Sequence, residues 1–167
     1  MPHIAARPLA LAALLAATLA ATGCRAVRRQ HPVAGTADAA DTAVFLTPFG
    51  APTRPFSPAV GVGNLILLSG QIGTTGADAT GTLVPGGIEA ETRQTLENIK
   101  TTLAAVGSSM DKVVKCTVMM ADMAEWDRMN AVYRTFFAPG RLPARSALGA
   151  NGLALGARVE IECIATA

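Results

Sequence analysis

The chain has 167 residues, which is enough for one domain with its own hydrophobic core but too few for two of ordinary size. Its formal net charge is +2 and aromatic residues make up 4% of the sequence, so neither a strong basic field nor a base-stacking surface points to nucleic acid as a partner. The mean hydropathy of +0.36 is raised by one apolar segment at the start of the chain.

The first 23 residues have the layout of a secretory signal peptide. Arg7 precedes a run rich in alanine and leucine, residues 9–21, and small residues follow that run. The run is shorter than a transmembrane helix requires. We therefore predict that residues 1–23 direct the export of the chain.

The four residues ATGC at 21–24 resemble a bacterial lipobox, in which the cysteine is lipidated and becomes the first residue of the mature protein. This resemblance predicts a lipid anchor at Cys24 and a location in the cell envelope. Arg25 stands where an aspartate would be associated with retention in the inner membrane, which favours the outer membrane. The alternative is an ordinary signal peptide cleaved nearby. In that case Cys24 has no special role and the protein is periplasmic or secreted.

A polar stretch of small residues, 24–43, predicts a flexible tether, and the folded domain is expected over residues 44–167. Early in the domain, a Gly-Asn pair precedes the apolar run LILLSGQIG. This arrangement predicts a β-hairpin that turns at residues 61–64. Residues 74–87 are rich in Gly, Thr, Ala and Asp, and we expect them to form a loop.

Apolar residues three and four positions apart predict an amphipathic helix from Glu89 to Val106. The apolar stripe consists of Leu96, Ile99, Leu103 and Val106. Gly107 follows at the position where a left-handed residue commonly ends a helix. The next run, VVKCTVMM at 113–120, is apolar on one face and mostly apolar on the other. It predicts a strand that is largely buried on both sides.

The strand over 113–120 contains Cys116, and another apolar run near the end of the chain contains Cys163. A buried cysteine usually behaves as a small apolar residue, so we expect two free, buried thiols. A disulfide remains permitted, because an exported protein meets an oxidising compartment. His3 and His31 both lie outside the expected domain, and no cysteine–histidine spacing indicates a metal site.

Asp122 and Glu125 fit a capping box that begins a second helix. The apolar face of this helix is predicted to hold Trp126, Met129, Val132 or Tyr133, and Phe136. A proline–glycine pair ends it, and the runs ARSALGA and RVEIECIA, at 144–150 and 158–165, are predicted strands. The order strand, strand, helix, strand, helix, strand, strand predicts an α+β domain with its helices on one face of the sheet.

Charged residues interrupt the last two predicted strands. Arg145 stands in the first of them, and Glu160 and Glu162 stand in the second. Burying an unpaired charge costs several kcal/mol, so each of these side chains needs a partner or a ligand. The residues alone leave two explanations open, a structural ion pair and a functional site.

Five segments of the domain follow the order and spacing of a known family. They are GVGNLILLSGQIG, TRQTLENIKTTLAAVG, VVKCTVMMADMAEWDRMNAVYRTFF, LPARSALGA and VEIECIA. Together they resemble the Rid family, the reactive-intermediate (enamine/imine) deaminases, from about Val44 to the C-terminus. The resemblance implies a chorismate-mutase-like α+β fold, with a mixed or antiparallel sheet, two helices on one face and the final strand inside the sheet. It also implies a homotrimer with clefts between subunits, in which a neighbouring subunit covers the free face of the sheet.

The same resemblance implies a reaction, the hydrolysis of 2-imino or enamino acids to 2-keto acids and ammonia without a cofactor. Arg145 matches the arginine that holds the substrate carboxylate, a task suited to its planar, permanently charged fork. Glu160 matches the glutamate that positions water, since a carboxylate can orient water and move protons. Glu162 lies on the same strand face, and periodicity alone does not separate it from Glu160.

Four further positions match the substrate cleft of the family. Gly70 would offer its backbone to the substrate with Ser69 beside it, Asn130 would line the cleft, and Phe56 aligns with a position that is tyrosine in the best-known members. Ordinary structural roles remain open for three of them. Ser69 and Asn130 would then be caps or surface groups, and Gly70 would permit a bend.

The chain departs from the family pattern at three places. Phe56 has no hydroxyl, Ala147 replaces a cysteine that is often found two residues after the arginine, and residues 153–154 are Leu-Ala in place of a Leu-Pro pair. Besides the deaminase, two other functions stay open. One is a trimer that binds small carboxylate metabolites without turning them over. The other is the endoribonuclease activity long attached to the family, which the low charge and the few aromatic residues disfavour.

Overall fold

One mixed sheet with helices packed on one face makes up the part of the chain that the structure describes. The computed structural model describes residues 42–51, 53–76 and 81–167, so the predicted signal peptide, Cys24 and nearly all of the predicted tether lie outside the described residues. Within these ranges the strands are β1 (Val44–Leu46), β2 (Ala59–Val62), β3 (Leu65–Leu68), β4 (Gln71–Ile72), β5 (Val113–Met120), β6 (Ala144–Gly149) and β7 (Val159–Thr166). The α-helices there are α1 (Gly87–Ala105) and α2 (Trp126–Tyr133).

The last strand, β7, lies in the middle of the sheet. It pairs antiparallel with β3 on one side and with β5 on the other, and β5 pairs parallel with β6 at one edge. The strand order is β1-β2-β3-β7-β5-β6, and the short β4 also pairs with β7. The predicted α+β class, the mixed sheet and the interior position of the final strand are therefore confirmed. The predicted hairpin is β2–β3, which turns at Gly63 with φ of +55°.

Helix α1 packs its predicted apolar stripe against the sheet. Leu96, Ile99 and Leu103 are fully buried, and Gly107 follows the helix end with φ of +83°, as its sequence position predicts. Burial of each such side chain contributes about 1.5–3 kcal/mol of hydrophobic free energy. On an adjoining face of α1, the buried Asn98 donates through Nδ2 to the carbonyl oxygens of Ile72 at 3.1 Å and Thr74 at 2.9 Å. The helix thereby holds the end of β4 against β7.

The start of α2 differs from the predicted capping box. The Asp122 carboxylate accepts a hydrogen bond from the backbone N–H of Ala124 at 2.8 Å, as a capping residue should. Glu125 does not complete the box, because its carboxylate pairs with Arg158, whose Nη2 lies 2.8 Å from Oε1. The pair joins the beginning of α2 to the residue that precedes β7. On the apolar face predicted for this helix, the buried residues are Met129, Val132 and Tyr133.

The prediction that β5 is buried on both sides is wrong for the described chain. The strand buries Cys116, Val118 and Met120 on the helix side, whereas the helices leave the opposite face uncovered. We call this second face the open face. On the two central strands it consists of Lys115, Thr117, Met119, Glu160, Glu162 and Ile164. An irregularity in the β5–β7 register between Val113 and Lys115 shifts the alternation at the start of β5.

The predicted free thiols are also corrected, because Cys116 and Cys163 form a disulfide. The two residues are direct partners in the antiparallel β5–β7 register, with their Cα atoms 4.1 Å apart. Their exposed fractions are 0% and 1%, so the bridge lies inside the core. Separate apolar runs indicated burial for each cysteine but carried no information on the register that places the two opposite each other.

Candidate active site

Arg145 projects from β6 on the helix side of the sheet, onto aromatic rings of α2. Its guanidinium carbon lies 5.0 Å from the ring centroid of Trp126 and 4.7 Å from that of Tyr133. Its Nη1 donates to Oδ1 of Asn130 at 2.7 Å. Cation–π contacts and one hydrogen bond therefore fix the orientation of the guanidinium. Among the described residues, its remaining N–H groups have no hydrogen-bond partner and can take a ligand.

These side chains border an open cleft of about 410 Å³. Its lining consists of Asn130, Tyr133, Arg134, Leu142, Pro143 and Arg145. The structure places Asn130 beside Arg145 in this lining, and its role toward a substrate stays a prediction. A volume of this order is sufficient for a small metabolite, and the only carboxylate-binding group predicted from the sequence lies in its wall.

From the sequence, Trp126 and Tyr133 were predicted only to lie on the apolar face of a helix. In the structure both support Arg145. Burial raises the pKa of Tyr133 to about 12, an effect that the charge of Arg145 partly offsets, so the phenol is neutral at physiological pH. A signal for this role was present, because residues 126, 130 and 133 are four and three positions apart and share one helix face.

Glu160 projects from β7 onto the open face and is half-buried. Gly70, which precedes β4, lies against its carboxylate: a Cβ at Gly70 would stand 3.0 Å from Cδ of Glu160 and would overlap Oε1. The missing side chain of Gly70 is therefore what makes room for this carboxylate. Burial and, to a lesser degree, the neighbouring charge of Glu162 raise the pKa of Glu160. Its carboxylate therefore takes up a proton more readily than the carboxylate of an ordinary surface glutamate.

Arg145 and Glu160 lie on opposite faces of the sheet. In the β5–β6 register Arg145 pairs with Cys116, and in the β5–β7 register Glu160 pairs with Met119. Paired residues point to the same face, and positions 116 and 119 of one strand point to opposite faces. A single chain therefore does not bring the two predicted catalytic side chains together.

The remaining predicted residues lie near Glu160 or at the surface. The Ser69 hydroxyl donates to the carbonyl oxygen of Ser57 at 2.7 Å, so it ties the preceding loop to the end of β3. Phe56 belongs to that loop and is 46% exposed. Glu162 is exposed on the open face, where it borders a smaller groove with Lys115.

Neither a metal cluster nor a membrane span is found in the part of the chain that the structure describes. No three His, Cys, Asp or Glu side chains there are placed to hold a metal ion. No helix within those residues is both long and apolar enough to cross a membrane.

A family profile described as Endoribonuclease L-PSP matches residues 48–167. This range contains both α-helices and all the described strands except β1. The chain belongs to this family. It is 45% identical over 111 residues to a Mus musculus protein named 2-iminobutanoate/2-iminopropanoate deaminase, and the alignment covers 66% of this chain and 80% of the relative. It is 41% identical over 112 residues to Reactive Intermediate Deaminase A, chloroplastic, of Arabidopsis thaliana, covering 67% and 58% of the two chains.

Solved structures agree with the sequence relatives. The yeast protein YEO7 superimposes with a TM-score of 0.67 at 36% identity, over 75% of this chain and 98% of the yeast chain. At this identity the similarity extends beyond the fold to the sequence. The predicted Rid family membership is thereby confirmed.

Proposed function

We propose that this chain catalyses the hydrolytic deamination of 2-imino or enamino acids to 2-keto acids and ammonia. The observation that carries the proposal is the position of Arg145, held on Trp126 and Tyr133 in the wall of a cleft, with Nη1 bonded to Asn130. A planar guanidinium held in this way is suited to binding a carboxylate through parallel hydrogen bonds. The relative named 2-iminobutanoate/2-iminopropanoate deaminase supports the same reaction.

In the proposed reaction Arg145 holds the α-carboxylate and Glu160 holds the attacking water. The water oxygen bonds to the imine carbon as the π electrons of the C=N bond move to nitrogen; Glu160 takes one water proton and passes it to that nitrogen, which gives a neutral carbinolamine. The C–N bond then breaks as the nitrogen takes up a proton and leaves as ammonia, and the hydroxyl loses its proton to form the keto group. The raised pKa of Glu160 makes its carboxylate a stronger base than an exposed one.

The working cleft is proposed to lie between two copies of the chain in a homotrimer. The opposite placement of Arg145 and Glu160 supports this assembly, because a neighbouring copy can bring its open face to the cleft beside Arg145. The open face also exposes apolar side chains from β3, Leu65 at 43% and Leu67 at 41%, which a second copy would cover. A monomer at micromolar concentration would contradict this assembly.

Mixed trimers test whether one cleft uses two copies. Arg145→Ala and Glu160→Gln are each expected to be inactive alone. In a random equal mixture, a cleft works only when the Glu160→Gln chain supplies its arginine and the Arg145→Ala chain supplies its glutamate. About one quarter of the clefts therefore regain both groups. Co-refolded trimers should therefore recover about one quarter of the wild-type rate. Zero recovery in verified mixed trimers would show that each cleft uses a single chain.

The reaction itself is tested with imines made freshly from amino acids such as 2-aminobutyrate by an amino-acid oxidase. Keto-acid formation should be faster with the protein than in buffer. Arg145→Ala should lose the acceleration, while the control Arg141→Ala should keep it, because Arg141 borders a neighbouring groove instead of the cleft. No acceleration across several imines would overturn the proposed reaction.

A non-catalytic binder of small carboxylates is the second candidate. The observation that favours it is Phe56, which lacks the hydroxyl found at this position in the best-known family members. Carboxylates would then bind at Arg145 with no turnover of any imine. Restoring the hydroxyl with Phe56→Tyr provides the comparison: turnover that is absent from the wild type and present in this variant would support the non-catalytic binder.

We further propose that the chain is exported and anchored through Cys24. The lipobox-like residues 21–24 support this location, as does the Cys116–Cys163 disulfide, because disulfides persist mainly in oxidising compartments. In a bacterial host, Cys24→Ser should release the protein from membranes, and globomycin should block processing of the wild type. Processing that is unaffected by either change would contradict the anchor.

A further inference from the structure

The cleft beside Arg145 contains a second arginine whose role the deaminase reaction does not explain. Arg134 lines the same cleft of about 410 Å³. The α-carboxylate of a 2-imino acid needs only one guanidinium, and Arg145 already has the rigid position suited to it. The question is therefore which ligand group Arg134 would meet.

Arg134 is held at one end and available at the other. Its Nε donates to the backbone carbonyl oxygen of Asn130 at 3.3 Å. It also caps the C-terminus of α2, where the helix dipole favours a cation. Among the described residues, no carboxylate forms an ion pair with it. Its two terminal NH₂ groups can therefore take a ligand.

The rest of the lining limits what that ligand is. Leu142 and Pro143 provide an apolar wall, and Asn130 and Tyr133 are neutral. Within the described residues, both charged groups of the lining are cations. This combination disfavours a ligand with a cationic side chain and favours one with two negative charges joined by a short apolar spacer.

We propose that the site prefers 2-imino acids that carry a second carboxylate, the imines derived from acidic amino acids. Arg145 binds the α-carboxylate and Arg134 binds the carboxylate at the other end, with the spacer against Leu142. This specificity rests on the proposed deaminase function, because it names the substrate class of the same site. An Arg–carboxylate contact in a partly exposed cleft gives about a 5- to 10-fold preference.

Binding is measured first, because the chain contains its own reporter. Trp126 is the single tryptophan, and the guanidinium of Arg145 lies 5.0 Å from its ring centroid, so a ligand at Arg145 should change its fluorescence. The two ligands are stable keto acids of equal chain length, 2-oxoglutarate and 2-oxopentanoate. We expect 2-oxoglutarate to bind about 5- to 10-fold more tightly to the wild-type protein.

Two matched variants separate a direct contact from a general charge effect. Arg134→Gln should remove the preference, because it should weaken the binding of 2-oxoglutarate about 5- to 10-fold more than that of 2-oxopentanoate. Arg141→Gln removes the same charge from the neighbouring groove and should keep the preference. Equal affinities in the wild type would overturn the proposal. So would a preference that survives Arg134→Gln, or one lost equally in both variants.

Turnover then distinguishes failure of this proposal from failure of the proposed function. Imines from glutamate and from norvaline are compared in the same oxidase-coupled assay. Faster turnover of the glutamate imine supports both proposals, whereas equal or faster turnover of the norvaline imine overturns the dicarboxylate preference and leaves the deaminase standing. If neither imine is turned over, the deaminase function is overturned, and the fluorescence result alone decides whether the cleft prefers dicarboxylates.

Discussion

Reduction of the Cys116–Cys163 disulfide should lower the free energy of unfolding by about 4 kcal/mol. The bridge joins residues 47 positions apart, and closing a loop of that length removes roughly 14 cal/mol/K of chain entropy from the unfolded state. At 25 °C this corresponds to about 4 kcal/mol. For a domain of this size we expect the melting temperature to fall by about 10–20 °C.

The measurement compares urea unfolding of the oxidised protein with that of protein reduced in denaturant and refolded under reducing conditions. Reduction before unfolding should be slow, because both cysteines are at most 1% exposed. The control is the Cys116→Ala/Cys163→Ala double variant, whose unfolding should not respond to reductant. The variant loses two buried sulfur atoms as well as the cross-link, so the comparison of oxidised and reduced wild type gives the cleaner magnitude.

Two results would refute this reasoning. One is an unfolding midpoint that is the same with and without reductant. The other is alkylation of Cys116 and Cys163 in protein unfolded without reductant, which would show that the thiols are free. The chain contains three cysteines, so peptide mapping must distinguish these two from Cys24.

Three further predictions concern the proposed site. Arg145→Lys should lower kcat/KM about 10- to 100-fold, because lysine lacks the planar fork; a rate within twofold of wild type would contradict the proposed clamp. Gly70→Ala should reduce kcat about 10²-fold with little change in melting temperature, because the added Cβ would overlap the Glu160 carboxylate. The control Gly61→Ala should stay active, because a Cβ added there has its nearest neighbour at 3.8 Å. Glu160 must be ionised to accept a proton, so kcat/KM should fall as the pH drops through its raised pKa. Glu162→Gln should move that acidic limb to lower pH, because Glu162 contributes to the shift, and an unmoved limb would contradict this assignment.

Local apolar periodicity was sufficient to predict the helices and most of the strands. The stripe of α1 follows from residues close together in the sequence, whereas the interior position of β7 was implied by the family resemblance, and both are confirmed. Periodicity did not predict the environment of the second face of β5. The residues of this face are mostly apolar, but composition does not say whether the same chain or another copy covers them. The prediction of burial on both sides failed for the described chain for that reason.

The sequence proposed single site residues but not their arrangement. Arg145 and Asn130 were assigned to one cleft, and the structure places them in hydrogen-bond contact, while their roles stay predictions. Arg145 and Glu160 lie on opposite faces of the sheet because of the β5–β6 and β5–β7 registers. No single sequence segment contains the information that sets these registers. The cysteine pairing escaped prediction for the same physical reason, since it too is a property of register across strands.

The disulfide also determines what a protease could do to this protein. The segment from Cys116 to Cys163 is closed into a covalent ring, and Asn130, Arg145 and Glu160 all lie within it. The exposed turn at 151–156 between β6 and β7 is the natural place for a cut. A cut there would open the ring without separating its two halves. In an environment that contains proteases, a nicked chain would therefore keep all three side chains on one covalent framework.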